Sequence, residues 1–322
     1  MFNYYNYMNK VLVTGGAGFI GSHLVGKLIS KGNNVVVLDN LSSGKMKNLE
    51  YLESNKDFSF IKGDLLKLED IENALNDVSK VYHIAANPEV RLGETDTKTH
   101  FEQNIVASYN LLESMRKKDV KKIIFTSTSA VYGDAKVIPT PEDYPTMPIS
   151  TYGASKLAVE GMLSSFCHTF GMQAVVFRFA NVIGSRSDHG VLIDFIKKLK
   201  NNPRELEILG DGSQTKSYIY IDDCIEGMLF GEEKAKNDFE IFNLGSEDKI
   251  TVKEIADLVS NGLGLKDVRY KFTGGYEGRG WKGDVKFMQL SIDKIKKLGW
   301  KPKYNSRETV KKAVNDLKQI YL

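Results

Sequence analysis

Cysteine is almost missing from this chain of 322 residues: only Cys167 and Cys224 occur, far apart and without metal-ligand spacing. That excludes a disulfide-stapled scaffold and a cysteine-based metal site, and the two read as reduced thiols of a cytoplasmic protein. No metal is expected. No apolar run approaches the ~20 residues that a membrane-spanning helix requires. Residues 1–7 are polar and aromatic rather than basic and then apolar, so they read as a loose extension ahead of Met8, not as a signal peptide. An excess of either charge is lacking too, since 44 basic and 41 acidic residues leave only +3. So balanced a chain gives no reason to expect nucleic acid or a membrane as partner, and it is compatible with a phosphate-bearing substrate. Proline is sparse, and four of its seven occurrences, Pro139, Pro141, Pro145 and Pro148, mark one loop ahead of a helical stretch from 153. There is no internal repeat and no low-complexity segment.

What the first half does contain is alternation. Val11 to Thr14, Val35 to Leu38, Phe58 to Ile61, Val81 to Ile84, Ile123 to Thr126 and Ala174 to Phe177 read as buried strands, separated by helical patterns of which 19–31, 98–118 and 153–170 are the longest. This rhythm predicts an α/β fold, a Rossmann-type doubly wound parallel sheet over residues 1–178, with ligands held beyond the carboxyl ends of its strands. After about residue 178 the rhythm fails, and glycine-rich stretches appear at 210–212, 262–264 and 274–283. Residues 179–322 are expected to form mainly a smaller, mixed α/β lobe that completes a cleft, the chain returning to the first domain around 219–245.

The first strand runs directly into Gly15-Gly16-Ala17-Gly18-Phe19-Ile20-Gly21, which opens the first long helix. Glycine tolerates positive φ and, lacking a Cβ, lets backbone approach a pyrophosphate; the N–H groups and positive dipole end of the helix then face the phosphates. The next strand ends at Asp39, 18 residues after Gly21, followed by Asn40 and no arginine. A carboxylate there can accept from the adenine ribose hydroxyls and repels a 2′-phosphate, which favours NAD over NADP. Asp64, after the third strand, is placed to meet the adenine amino group. Ala85 and Ala86, after the fourth, are small enough to let the cofactor lie close. His83, at the tail of a buried strand, is expected to be structural.

Tyr152 and Lys156 stand four apart at the start of a helix, so that hydroxyl and ammonium share a face. A free tyrosine titrates near ~10; a neighbouring ammonium and a cationic nicotinamide favour the phenolate and make it a usable base. The fifth strand runs into Thr126-Ser127-Thr128-Ser129-Ala130-Val131-Tyr132-Gly133, hydroxyls where a ligand should lie.

These residues together resemble the extended short-chain dehydrogenase/reductases, the NAD-dependent nucleotide-sugar epimerases and dehydratases, over nearly the whole chain. Within that family the likeness is to UDP-glucose 4-epimerases of archaeal and bacterial type. The family's Ser/Thr position lies four residues before the tyrosine of Val-Tyr-Gly, which makes Thr128 the third catalytic residue beside Tyr152 and Lys156. The resemblance also implies NAD contacts from Asn40, Gly44, Asp64, Leu65, Ala85, Ala86, Asn104 and Thr126. For the substrate it implies Asn181 at the diphosphate, Val191 beside the uridine, and Lys216 and Tyr218 from a Gly-Asp-Gly-x-Gln motif beginning at Gly210. That motif normally carries an arginine and an aspartate where this chain has Lys216 and Ser217; lysine keeps the charge and loses the bidentate fork. Gly283-Asp284 resembles a later Arg-x-Gly-Asp motif, with Trp281 at the usual arginine position and Arg279 as its substitute or as a solvated surface residue.

Dehydratases of the family carry an Asp-Glu pair after the catalytic threonine, and decarboxylases making UDP-xylose place a glutamate where this chain has Ala130. Ser129 and Ala130 supply neither acid nor base, which leaves simple epimerisation: oxidation at C4 by bound NAD, rotation of the 4-keto sugar, and return of the hydrogen to its other face. The implied substrates are UDP-galactose and UDP-glucose. UDP-N-acetylhexosamines and other NDP-sugar oxidoreductions are the alternatives, Met288 falling near the position that controls room for an N-acetyl group. A non-catalytic NAD-binding regulator commonly lacks the Tyr/Lys pair that is present here. In the family, helices corresponding to 98–118 and 153–170 pair as a four-helix homodimer interface, with ordinary core packing as the alternative.

Overall fold

A computed structural model describes residues 10–321, so the expected extension over residues 1–7 lies outside the described residues. The first half follows in chain order as β1 (Lys10–Thr14), α1 (Phe19–Ser30), β2 (Asn34–Asp39), β3 (Phe58–Lys62), α2 (Leu68–Ala74), β4 (Lys80–His83), α3 (Thr97–His100), α4 (Ala107–Lys117), β5 (Lys122–Thr128), α5 (Thr151–Phe170) and β6 (Gln173–Phe179). It continues through β7 (Asn181–Ile183), α6 (Val191–Asn201), β8 (Glu205–Ile208), β9 (Thr215–Lys216), β10 (Tyr218–Tyr220), α7 (Ile221–Lys234) and β11 (Phe239–Leu244). The last elements are β12 (Ile250–Thr251), α8 (Val252–Gly262), β13 (Arg269–Phe272), β14 (Phe287–Met288), α9 (Asp293–Lys297) and α10 (Ser306–Tyr321).

Seven of these strands form one parallel sheet in the order β11-β6-β5-β4-β1-β2-β3. The order reverses between β1 and β4, the switch point at which doubly wound sheets bind ligands. Val11, Leu12 and Val13 are fully buried, as a central strand with helices on both faces demands. β3 is the exception: at the edge of the sheet it exposes Ser59 and Lys62, which blunts an otherwise pairable edge.

Packing divides the chain into two units that alternate along the sequence, where the sequence suggested one break near 178 and a return around 219–245. The first runs to Ser127 and takes in Thr151–Phe177 and Gly231–Ile241. Its core is built on Leu12, Val36, Val81, Ile123 and Val176 of the sheet, with Leu111, Met115, Val159 and Leu163 from α4 and α5. The second comprises Thr128–Ser150, Arg178–Phe230 and the chain from Phe242 onward. There α6, α8 and α10 enclose Ile193, Phe195, Leu206, Val259, Val310 and Leu317. β7 pairs in parallel with β10, β8 with β13, and β9 lies between β12 and β14. Thr251 and Glu254 close a reciprocal capping box at the start of α8. No helix among the described residues is long and apolar enough to cross a membrane.

The helix predicted over 98–118 is not continuous: a wide, π-helical turn, Phe101–Val106, separates α3 from α4. The side chain of Ser108 bonds back one turn, donating to the carbonyl of Asn104 at 2.5 Å.

At the end of α7, Glu232 is buried beneath the sheet, accepting from Lys80 at 2.6 Å and Tyr82 at 2.5 Å with Lys122 at 3.1 Å. Burial alone would raise its carboxyl pKa, but the two ammonium groups and the phenol outweigh it and hold the carboxyl below its ordinary range. Replacing Glu232 by alanine is expected to lower unfolding stability by about 2 kcal/mol, less than for a fully buried pair because both lysine ends reach water. Chemical denaturation should show the midpoint falling, and less far for Glu232→Gln.

Candidate active site

The turn after β1 is dictated by steric exclusion. Gly15 has φ +69°, and a Cβ there would lie 2.7 Å from the backbone of Ala85, just beyond β4. At Gly21 a Cβ would meet the Gly15 carbonyl at 2.1 Å, which brings the first turn of α1 down onto the loop. Gly18 is the N-cap residue and contributes no side-chain cap to the helix, so the first-turn amides are left for another acceptor. Phe19 and Ile20, partly buried, begin the helix itself. Asp39 braces the loop from below: one carboxylate oxygen accepts from the Ala17 amide at 2.9 Å and the other from Leu41 at 2.8 Å. Gly44 packs so tightly on it that a Cβ would stand 2.9 Å from both oxygens. Burial raises the Asp39 carboxyl, and these two amides counter it.

Beyond β2 and β3, Asn40 donates to Asp64 at 3.1 Å, and the other Asp64 oxygen accepts from the Leu66 amide. Leu65 is buried, its carbonyl accepting from Asn110. The uncapped helix end, the side-chain-free cradle at the β1/β4 switch and a carboxylate at the end of β2 fit a dinucleotide: phosphates at Gly15–Gly21, ribose at Asp39, and Ala85 and Ala86 leaving room beside them.

His83 joins this loop to the π-helical turn. Its Nδ1 lies 2.7 Å from Thr14 Oγ1 and its Nε2 2.8 Å from Ser108 Oγ. Because Ser108 gives its own proton to the Asn104 carbonyl, its oxygen accepts from His83 Nε2–H. Nδ1 must then accept from Thr14, whose oxygen in turn receives the Ala85 amide at 3.3 Å. One protonation state satisfies the whole chain, a neutral imidazole. Burial, reinforced by the charge of Lys156, pulls His83 down to about 3. Asn104 is 2% exposed, with its amide engaged by Asn87 and Ser155. The structure therefore gives it a bracing position between the β4 loop and α5.

Tyr152 and Lys156 begin α5. Lys156 is 3% exposed, its ammonium 4.5 Å above the Phe125 ring of β5. Burial draws it down to about 7 against the opposing pull of Glu160. On β5 the side chains alternate: Phe125 and Ser127 share one side, Thr126 and Thr128 the other. Thr126 donates to the His83 carbonyl at 3.4 Å. Thr128 ends the strand, accepts from the Ala130 amide at 3.1 Å and caps a short turn, Ser129–Tyr132.

Two neighbours are not singled out by the sequence reading. His100 sets its ring 5.9 Å from that of Tyr152 while accepting from Thr151 and donating to the Glu89 carbonyl. Glu160 is buried one turn beyond Lys156 and accepts from Ser127. The i,i+4 spacing from Lys156 was the available clue to Glu160; nothing local pointed to His100.

In the second unit, Asp284 is the hub. One carboxylate oxygen takes Lys216 at 2.5 Å, the other the Gly280 amide at 3.1 Å, and its carbonyl takes Arg279 at 2.7 Å. Arg279 also reaches Asp134 at 2.9 Å, so it is not a loose surface residue. Trp281 lies against Lys216, 5.7 Å from ammonium to ring. Asn181 opens β7 and donates to the Ser217 carbonyl at 3.2 Å. Val191 starts α6 and packs against the unit's core. Tyr218 is placed within that core, where burial and then Asp284 push its phenol up. Met288 is buried and aligned with Lys216 across β14 and β9.

Comparison with known proteins gives a consistent family. The profile of the NAD dependent epimerase/dehydratase family matches residues 11–245. A Methanocaldococcus jannaschii protein, provisionally named UDP-glucose 4-epimerase, is 35% identical over 315 residues, covering 96% of this chain and 98% of that one. The crystal structure of a UDP-galactose 4-epimerase superposes with a TM-score of 0.86 at 42% identity, covering 97% of this chain and 100% of the other. The Thermus thermophilus UDP-glucose 4-epimerase, solved with NAD, gives 0.84 at 33% identity, with 95% and 98% covered. Names diverge at similar depth, as with a UDP-N-acetylglucosamine 4-epimerase from Methanobrevibacter ruminantium at 31% and the Arabidopsis thaliana UDP-glucuronic acid decarboxylase 1 at 32%.

Two outcomes follow from the geometry. Asp39→Ala should weaken NAD binding by about 1.5–3 kcal/mol, the scale of hydrogen bonds to a charged group, as measured by titration calorimetry. For His83 the folded pKa lies below the unfolded one, so between about 6.5 and about 3 the unfolded chain binds a proton that the folded chain refuses. Stability should therefore fall as pH drops through that window, and His83→Gln should flatten this part of the denaturation profile.

Proposed function

The chain belongs to the NAD-dependent epimerase/dehydratase family, and on that premise we propose that it interconverts UDP-galactose and UDP-glucose by reversible oxidation at C4 of the hexose. The observation that carries epimerisation over dehydration is the turn after β5: Thr128 caps it, and positions 129 and 130 are Ser and Ala. Elimination of water needs an acid and a base there, and this turn supplies neither.

Bound NAD supplies the acceptor, and later the donor, of the hydrogen at C4. The chain's own residues handle the proton. Tyr152 as phenolate takes the proton of the C4 hydroxyl as the C4–H bond breaks, and returns it to the same oxygen when that bond re-forms on the opposite face. Lys156 favours the phenolate by its charge and offers donors to the nicotinamide ribose. Thr128 holds the C4 oxygen by its hydroxyl. In this reading the first unit binds NAD through Gly15, Gly18, Gly21, Asp39 and their neighbours. The second holds the nucleotide, with Asn181, Lys216 and Arg279 at the diphosphate and Val191 beside the uridine. Anchoring one end is what allows the keto sugar to turn without being lost.

The same reading makes the protein a cytoplasmic homodimer joined through α4 and α5. In support, Phe101 and Tyr109 are 56% and 49% exposed beside and on α4.

The decisive assay is product analysis with UDP-galactose and UDP-glucose, without added reductant, followed by UDP-N-acetylglucosamine, with which the flexible, intermediate bulk of Met288 is compatible. Interconversion without cofactor consumption is expected. Bound NAD with no turnover of any of these sugars would sink the proposal, and stoichiometric use of reduced cofactor would mark a ketoreductase instead. Tyr152→Phe should lower kcat by about 10²–10⁴, the usual loss for an acid–base group, with NAD still bound.

A further inference from the structure

Lys156 does not stand alone between α5 and β5. Residues 156 and 160 lie one helical turn apart on the same face, and both are 3% exposed. Across from them β5 presents Phe125 and Ser127 on one side by its two-residue period. The ammonium rests on the Phe125 ring at 4.5 Å, and the Ser127 hydroxyl donates to Glu160. A buried carboxylate with no catalytic assignment, oriented by a strand hydroxyl, is thus placed beside the buried cation on which the Tyr152 chemistry depends.

We propose that Glu160, oriented by Ser127, is a positioning residue that keeps Lys156 charged and in place, and so sets the upper pH limit of proton transfer at Tyr152. This rests on the reading of Tyr152 and Lys156 as the proton-transfer pair. The titratable groups that face Lys156 are Glu160 and Tyr152 from α5 and His83 from β4. His83 is held neutral by its two hydrogen bonds, and Tyr152 is the reacting group that Lys156 itself serves. Glu160 is therefore the standing countercharge. Burial already draws Lys156 down to about 7, and Glu160 is the group opposing it. Without that carboxylate the ammonium loses its proton at lower pH, and the phenolate loses its partner with it. The arrangement also divides the hydroxyls of β5: Ser127 serves the lysine through Glu160, which leaves the next residue, Thr128, for the sugar.

The test uses the full chain and two readouts. Glu160→Gln keeps the size of the side chain and an acceptor for Ser127, and removes the charge. The alkaline limb of its kcat/KM profile should move down by about one pH unit, while Glu160→Asp, which restores the charge, should keep the wild-type limb.

The second readout needs no catalysis. A lysine whose folded pKa, about 7, lies below its unfolded value of 10.5 makes stability rise with pH between the two, because only the unfolded chain holds the proton there. The onset of that rise in chemical denaturation should shift to lower pH in Glu160→Gln and stay in place in Glu160→Asp. An activity loss equal at every pH, with the stability onset unmoved, would overturn the proposal, as would a Glu160→Asp profile shifted like that of Glu160→Gln. Should Glu160→Gln not fold, Glu160→Asp and Ser127→Ala carry the test. Glu160→Asp, which keeps charge and acceptor, should hold the wild-type onset, and Ser127→Ala, which removes the orienting hydroxyl, should move it to lower pH; an onset unmoved in Ser127→Ala or shifted in Glu160→Asp overturns the idea. If the wild type turns over none of the sugars tested while the onset still shifts, the substrate reading fails and the role of Glu160 stands.

Discussion

Everything at the carboxyl edge of the sheet depends on how closely two pieces of backbone approach, the turn after β1 and the chain leaving β4. Gly15 sits where any Cβ would overlap Ala85. Because that contact is closed, the loop has no freedom to drift, and α1 begins where its first amides face outward. Asp39 fixes the same loop from β2 by taking the Ala17 amide. The cradle is thus braced from two strands, the kind of preorganisation that lowers the ordering cost of binding.

A line of side-chain bonds carries that rigidity onward. Thr14, His83 and Ser108 run from the glycine turn to the π-helical turn before α4, and Asn104 reaches from there to Ser155 in α5, three residues after Tyr152. Each member is buried and each bond has one donor and one acceptor, so a single substitution strands a polar atom rather than merely loosening a contact. The Asn104 carbonyl takes part in that line by accepting from the Ser108 side chain four residues on.

Legibility in the sequence followed the range of the interaction. The strands, the glycine turn and Asp39 announce themselves through period and spacing, and the parallel sheet follows from their alternation. The second unit was foreseen only as a smaller mixed lobe, because its strands are two to four residues long and owe their pairing to partners far along the chain, as when β9 joins β12 and β14. The π-helical turn is invisible in the sequence because the bonds made there by Asn104, to Asn87 and Ser155, are tertiary. His100 beside Tyr152 was missed for the same reason: it arrives from a different element. Arg279 shows the intermediate case. Its charge is plain in the sequence, but only the structure reveals that it is shared between Asp134 and the Asp284 carbonyl.

The pairing of Lys216 with Asp284 has a thermodynamic meaning. A buried carboxylate already satisfying the cation acts as a resident competitor, so any anion that comes to Lys216 takes part in an exchange of partners rather than filling a vacancy. The free energy of such an exchange is a difference between two charged contacts, and it is small compared with either one.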